Sequence, residues 1–308
     1  MARFDSFAGS SAIFGVYPPI AAHGLIGDLR TAALVATDGT IDWYCTPRFD
    51  SPSVFAAILD HSAGGHFLLA PNLWTRSTQF YFPDTNVLIT RFFTLDGVGE
   101  IQDFMPIGGN PADIERHRLV RRVLCARGSM NFNFRVAPRM DYGREDHVLN
   151  LYDPNLAIFE APSLTLGLSS TISLTRAQND VTGSFVLKEG ETATFMLTRV
   201  TESDTPRVCP NEESTRLFAE TVEYWRKWLS QSRYRGRWRE TVHRSALALK
   251  LMTYAPTGAL IAAPTTSLPE QVGGERNWDY RYTWIRDAAF SVYALLRLGF
   301  TEEARAFV

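Results

Sequence analysis

Residues 273–287 read Gly273-Gly274-Glu275-Arg276-Asn277-Trp278-Asp279-Tyr280-Arg281-Tyr282-Thr283-Trp284-Ile285-Arg286-Asp287. Two Trp, two Tyr, three Arg, two Asp and one Glu fall within these fifteen positions. The opening Gly-Gly gives the backbone conformations closed to other residues. An apolar run over 288–298 follows. Carboxylates and guanidinium groups in this density can pair with the hydroxyls of a sugar. Flat rings can cover the C–H faces of a pyranose. The competing reading is an Arg–Asp pair that only orients a loop against a helix. Composition by itself leaves both open.

The 308 residues suggest about two domains. Hydrophobic residues at 45% and charged residues at 21% suit an ordinary globular core. A net charge of −2 implies no bulk attraction to nucleic acid or to an anionic membrane. No apolar run nears the roughly 20 residues of a membrane span. The first fifteen residues lack the continuous apolar segment of an export signal. Cys45, Cys125 and Cys209 are distant and odd in number, without Cys-x-x-Cys or Cys/His spacing, so no metal ligand set is assigned. Unpaired thiols without an export signal point to the cytoplasm.

Elements that could carry the aromatic stretch follow from pattern. Residues 1–16 read as a loose arm. Residues 33–36 and 40–44 flank Thr37-Asp38-Gly39, a hairpin signal because the turn needs positive φ. Ser51-Pro52 opens an expected short helix over 54–59. Strands are expected at 66–70, 76–82, 87–93, 99–105, 119–126 and 131–137, with Arg127-Gly128 between the last two. Phe132, Phe134 and Val136 alternate with Asn131, Asn133 and Arg135. Further strands at 149–151, 157–159, 164–168, 171–174, 183–187 and 192–200 complete the series. So many short strands at regular spacing indicate an antiparallel sandwich. Helices then follow at about 211–230, with Asn211 as its cap, and at 238–254, 286–298 and from Thr301 onward. The last one starts without finishing, which suggests the front part of a longer protein.

This order resembles the bacterial and archaeal glycoside hydrolases of family 15, the glucoamylase and trehalase-like group. Gly24-Leu25-Ile26-Gly27-Asp28, the 38–45 segment Asp-Gly-Thr-Ile-Asp-Trp-Tyr-Cys, and the 47–55 segment Pro-Arg-Phe-Asp-Ser-Pro-Ser-Val-Phe resemble that family's trehalase-like N-terminal domain. The resemblance covers most of the chain from about residue 17. It implies an all-β antiparallel super-sandwich over 1–208, a helical linker over 209–235, and the first helices of an (α/α)6 barrel over 236–308. The family's first barrel loop carries Tyr-x-x-x-Trp-x-Arg-Asp, matched by Tyr280, Trp284, Arg286 and Asp287. By resemblance, Arg286 and Asp287 hold hydroxyls of the non-reducing-end glucosyl unit. Trp284 lines that pocket and Tyr280 sits beside the anomeric centre. Arg276 and Trp278 are expected to support the loop.

The resemblance further implies an inverting glycosidase with two catalytic glutamates in loops downstream. No catalytic residue is therefore expected within this chain, and the 308 residues alone should be inactive. Glu270, Glu275 and Asp279 match no catalytic position and are read as solvent contacts or ion partners of Arg276 and Arg281. The implied activity is release of glucose from α-glucans or oligosaccharides; the alternative is hydrolysis of trehalose. Residues 273–287 do not separate the two. From another class, a non-catalytic sugar-binding module would make the sandwich the working part. No cofactor is expected, with phosphate or divalent-metal dependence left open as in trehalase-like relatives. The expected partner is a small α-glucoside, not nucleic acid or membrane, and a homo-oligomer is left open. The basic clusters at 116–122 and 233–239 read as a solvated strand face and as a linker docking through Trp238.

Overall fold

The computed structural model describes residues 17–108, 115–201, 207–209, 211–271 and 273–308. The arm expected at 1–16 lies outside the described residues. Fifteen strands among those residues pair antiparallel throughout and form two connected sheets. In spatial order the first holds His23–Gly27, Ala32–Ala36, Thr40–Cys45, His66–Pro71, the second half of Leu119–Ala137, Asp180–Lys188 and Thr175–Ala177, with the short Ser53–Phe55 also paired to Thr40–Cys45. The second holds Arg76–Tyr81, Leu88–Phe93, Gly97–Phe104, the first half of Leu119–Ala137, Thr192–Arg199, Thr165–Ser170, Leu156–Glu160 and Val148–Asp153.

The sheets face each other over one apolar core. Phe67 and Phe134 of the first sheet meet Phe195 of the second at ring distances of 6.2 and 4.7 Å. Phe132, Phe134 and Val136 are all buried there, as their alternation requires. The Asp38-Gly39 hairpin is present, with Gly39 at φ +87. Any Cβ on Gly39 would come within 2.2 Å of the Leu69 carbonyl oxygen, so only glycine fits.

Four local expectations are corrected. Arg127-Gly128 does not separate two strands: one strand runs from Leu119 to Ala137 and passes from one sheet to the other at that point. The ladder slips between Val98 and Gly99, and Gly128 takes φ +72. Such a bulge bends a strand sharply enough to change sheets. The helix expected over 54–59 is the strand Ser53–Phe55 followed by a turn. Burial of Val54 and Phe55 against Tyr44 outweighs the Ser-Pro helix-start signal. Residues 171–174 connect strands, and Thr175–Ala177 is the strand instead. The basic cluster is not a solvated face, because His117, Arg118 and Arg121 are buried. Arg121 donates to Asp103 at 2.7 and 3.2 Å and to the Phe67 and Gly39 carbonyls at 2.7 Å each, tying the two sheets together.

The Asn211–Leu229 helix is the keel between the sheets and the later helices. Its Leu217 and Val222 pack on Val87, Ile89, Phe104 and Val120. Its Trp225 and Trp228 pack on Ala246, Leu247, Leu251, Leu295 and Phe300. Trp228 stacks on Phe300 at 4.0 Å and donates to Glu303 at 2.7 Å, which Lys250 also meets at 2.9 Å. Trp238 was expected to dock the linker; it is exposed beneath Arg237, and Trp225 and Trp228 do that work. Asn211 begins its helix with its side chain accepting from Thr194, not capping the first turn. The Thr301–Phe307 helix likewise starts after Phe300 with no side-chain cap. The Arg239–Leu251 and Ile285–Leu298 helices lie close to their expected bounds. Gly299 at φ +103 closes the second of these, with Phe300 N–H on the Leu295 carbonyl and Gly299 N–H on that of Leu296. Among the described residues no helix is long and apolar enough to cross a membrane.

Candidate functional site

Residues 262–271 and 273–282 form a folded-back arm. Ala262 N–H donates to the Tyr282 carbonyl at 3.0 Å, Ala263 N–H to that of Tyr280 at 2.8 Å, and Ser267 N–H to that of Trp278 at 3.1 Å. Thr266 and Asp279 pair across the same ladder. Arg281 reaches into the β region, where it meets Phe49 and Ser51, while the Tyr280 ring turns to Trp284.

Tyr280, Trp284, Arg286 and Asp287 do come together. The Tyr280 ring stacks on Trp284 at 5.9 Å and 18°. Arg286 lies over the Trp284 ring at 5.9 Å and pairs with Asp287 at 3.3 Å. Both partners of that pair are open to solvent, at 72% and 48% exposure. Asp287 occupies the first turn of the Ile285–Leu298 helix, where the helix dipole favours an anion. Its hydrogen-bonding partner is Arg286. The Tyr280 hydroxyl donates to Glu270 at 2.9 Å, and that bond raises the phenol pKa above its ordinary value. Arg276 reaches the same Glu270 at 3.8 Å, so it joins the cluster through a shared carboxylate. Trp278 contributes its backbone carbonyl, and its indole is exposed. Glu270 and Asp279 are ion partners of Arg276 and Arg281, as expected, and Glu275 is exposed.

Arg281, named from the sequence only as an ion partner, has a larger part than that reading gave it. It is buried to 6% exposure. Its guanidinium forks onto Asp279 at 3.0 and 2.8 Å and donates to the carbonyls of Ser51 at 2.7 Å and Phe49 at 3.3 Å. Burial works to raise the Asp279 carboxyl, but the Arg281 hydrogen bonds and charge outweigh it and hold it below the ordinary range. Burial pushes the neighbouring Cys45 thiol up to about 12, against the pull of Arg281 3.6 Å away. The one signal available was spacing: Asp279 and Arg281 are two apart, on the same face of an extended segment.

Next to this anchor a cavity of about 180 Å³ lies between the two regions, lined by Arg48, Phe49, Asp50, Tyr254, Tyr282 and Thr283 among others. The exposed cluster offers a carboxylate acceptor, a guanidinium donor and two stacked rings, the groups that hold a polyhydroxylated ring. Among the described residues no group of three or more His, Cys, Asp or Glu could hold a metal ion.

Two family profiles match the chain. "Trehalase-like, N-terminal" covers residues 11–225, and "Glycosyl hydrolases family 15" covers residues 236–308. A protein named Trehalase from Thermoplasma volcanium is 39% identical over 297 residues, covering 95% of this chain and 47% of the relative. A Trehalase from Mycolicibacterium smegmatis is 35% identical over 324 residues, covering 98% and 48%. Trehalase 1 of Sulfolobus acidocaldarius is 32% identical over 286 residues, covering 92% and 46%. The chain thus spans about half the length of the curated relatives it matches.

Proposed function

The chain belongs to the glycosyl hydrolases of family 15 and carries their trehalase-like N-terminal domain, and we propose that the full-length protein hydrolyses trehalose to two glucose molecules. What carries this reading is the exposed Tyr280–Trp284–Arg286–Asp287 cluster within the range matched to the hydrolase family. The choice of trehalose over α-glucans is supported by the relatives' names. It takes precedence over the glucoamylase-like reading suggested by resemblance.

The chain's own residues bind and orient. The Asp287 carboxylate accepts from glucosyl hydroxyls, and Arg286 donates to them. The Tyr280 and Trp284 rings cover the C–H face of the sugar. A substrate lacking the bonded hydroxyl is rejected because it leaves these polar groups unpaired. Bond cleavage with inversion needs a carboxylic acid on the leaving oxygen and a carboxylate that activates water from the opposite face. We place both beyond residue 308, together with the rest of an (α/α)6 barrel. We divide the present chain into a β domain over 1–208, a linker over 209–235 and the barrel start over 236–308. Three buried, unbridged cysteines support a reducing cytoplasm as its setting.

The test is glucose release by the full-length protein from trehalose, maltotriose and isomaltose. We expect kcat/KM for trehalose to exceed that for the other two by at least about tenfold, a difference of about 1.4 kcal/mol. Maltotriose as the better substrate restores the glucoamylase-like reading. No release from any of the three removes the hydrolase assignment.

A further inference from the structure

We propose that Arg281 is a positioning residue for the sugar site, through which the β domain sets the geometry of a loop belonging to the other domain. The proposal rests on the hydrolase reading above and deepens it.

The observations are geometric. Arg281 sits between Tyr280 and Tyr282, whose backbones are held by Ala263 and Ala262. Its guanidinium is held by fixed partners: the Asp279 fork on one side, and the Phe49 and Ser51 carbonyls and the Cys45 sulfur of the β region on the other. A second tie runs in parallel, from the Trp43 indole N–H to the Pro264 carbonyl at 2.6 Å. With side chain 281 locked inward, the Tyr280 ring lies on the other side, stacked against Trp284. Arg286 and Asp287 begin the helix directly after that stacked pair. The chain of contacts therefore runs from the 49–51 segment through Arg281 to Tyr280, Trp284 and the Arg286–Asp287 pair.

The planar fork is essential to this role. Lysine offers three donors from a single point and cannot meet a carboxylate edge and two carbonyls at once. An ångström of displacement at a binding group can lower a rate by about a hundredfold. A residue that merely staples two domains would change stability and leave the chemistry alone.

The experiment compares the full-length protein with Arg281→Lys, Trp284→Phe and the double variant, assayed on trehalose well below their thermal midpoints. Hydrogen exchange of residues 280–287 is followed in parallel. We expect Arg281→Lys to lower kcat/KM at least tenfold, with kcat carrying most of the loss. Its 280–287 amides should exchange faster while those of the Leu119–Ala137 strand stay protected. We also expect the double variant to be less than threefold worse than the worse single, because residues that act as one unit do not add. Activity within threefold of the parent with unchanged exchange at 280–287 reduces Arg281 to a staple and overturns the proposal. So does a double variant whose losses multiply. Should Arg281→Lys not fold, Asp279→Asn removes the charge of the fork and leaves the carbonyl contacts; it must show the same pattern at least threefold, or the proposal falls. A parent that releases no glucose refutes the hydrolase reading instead, and the exchange comparison still decides whether Arg281 positions the loop.

Discussion

Two arginine–aspartate pairs mark the two halves of the molecule. Arg121–Asp103 lies in the sandwich with both side chains at 0% exposure. Arg286–Asp287 lies on the loop side, open to solvent and joined at 3.3 Å. Arg121 spends its donors on Asp103 and on two carbonyls from the facing sheet, and it also lies 4.8 Å over the Phe67 ring. Nothing is left with which to bind a ligand. Among the described residues the hydrogen-bonding partner of Asp287 is the arginine next to it, so hydroxyls can still reach it. Arg281–Asp279 falls between: enclosed like the first pair, adjacent to the site like the second. Residue type makes all three equivalent. Unused hydrogen-bonding capacity at an accessible place makes only one of them a candidate site.

The sharpest way to break this comparison is to ask the open half to work alone. The 1–308 chain should release no glucose from trehalose, because the positioned proton transfers that cleave the bond are placed beyond it. It should also self-associate. Ile285 and Phe290 are 78% and 72% exposed on the Ile285–Leu298 helix, an apolar face of the kind that normally meets a partner. A glucose assay and light scattering read both outcomes. Turnover by a clean preparation would put the acid and base inside this chain.

Next in size is the closed pair. Asp103→Ala in the full-length protein leaves Arg121 charged and unpaired inside the core. The expected loss is about 3–5 kcal/mol in urea unfolding followed by the β-sheet signal. Replacing both by apolar residues, Asp103→Leu with Arg121→Met, should restore most of it. If the double change is as damaging as the single one, the carbonyl bonds to Phe67 and Gly39 matter more than the charge.

The open pair should respond in the opposite way. Asp287→Ala should cost about 2 kcal/mol of transition-state stabilisation, roughly thirtyfold in kcat/KM. The thermal midpoint should barely move, since no side-chain hydrogen bond caps this helix. Near-normal activity with a lowered midpoint would make Asp287 a helix residue and nothing more.

The sandwich was legible because alternation and Asp-Gly turns are local signals. Phe132, Phe134 and Val136 announce their face by spacing. That Tyr280, Trp284, Arg286 and Asp287 lie together was legible through their eight-residue pattern. What sequence could not show was set by distant partners. Arg121 looks like any strand arginine until Asp103, Phe67 and Gly39 surround it. Gly128 looks like a gap between two strands until two sheets need one shared strand. Ser51-Pro52 looks like a helix start until Tyr44 claims Phe55 as a ladder partner. Arg281 hides for the same reason, since Phe49 and Ser51 lie 232 and 230 residues away along the chain.

The smallest expected effect tests the closed half by acid. Burial, followed by the charge of nearby Arg135, lowers His66 to about 4, with Asp180 opposing. The unfolded chain takes up a proton near pH 6.5, before the folded state can. The stabilisation is therefore complete above about pH 6.5 and is lost as pH falls toward 4. Asp180 also titrates low: burial would raise it, but hydrogen bonds from Arg139 and Arg135 outweigh that. Its contribution stays whole above the ordinary carboxylate pKa of about 3.9, so it adds no slope between pH 5.5 and 7, roughly the window used here. Over that window the parent should lose about 1 kcal/mol more than His66→Leu, read as the shift of the urea midpoint at each pH. Equal losses in the two proteins would mean that His66 can take a proton inside the fold. The sandwich would then be less closed around it than Arg121 and Asp103 imply.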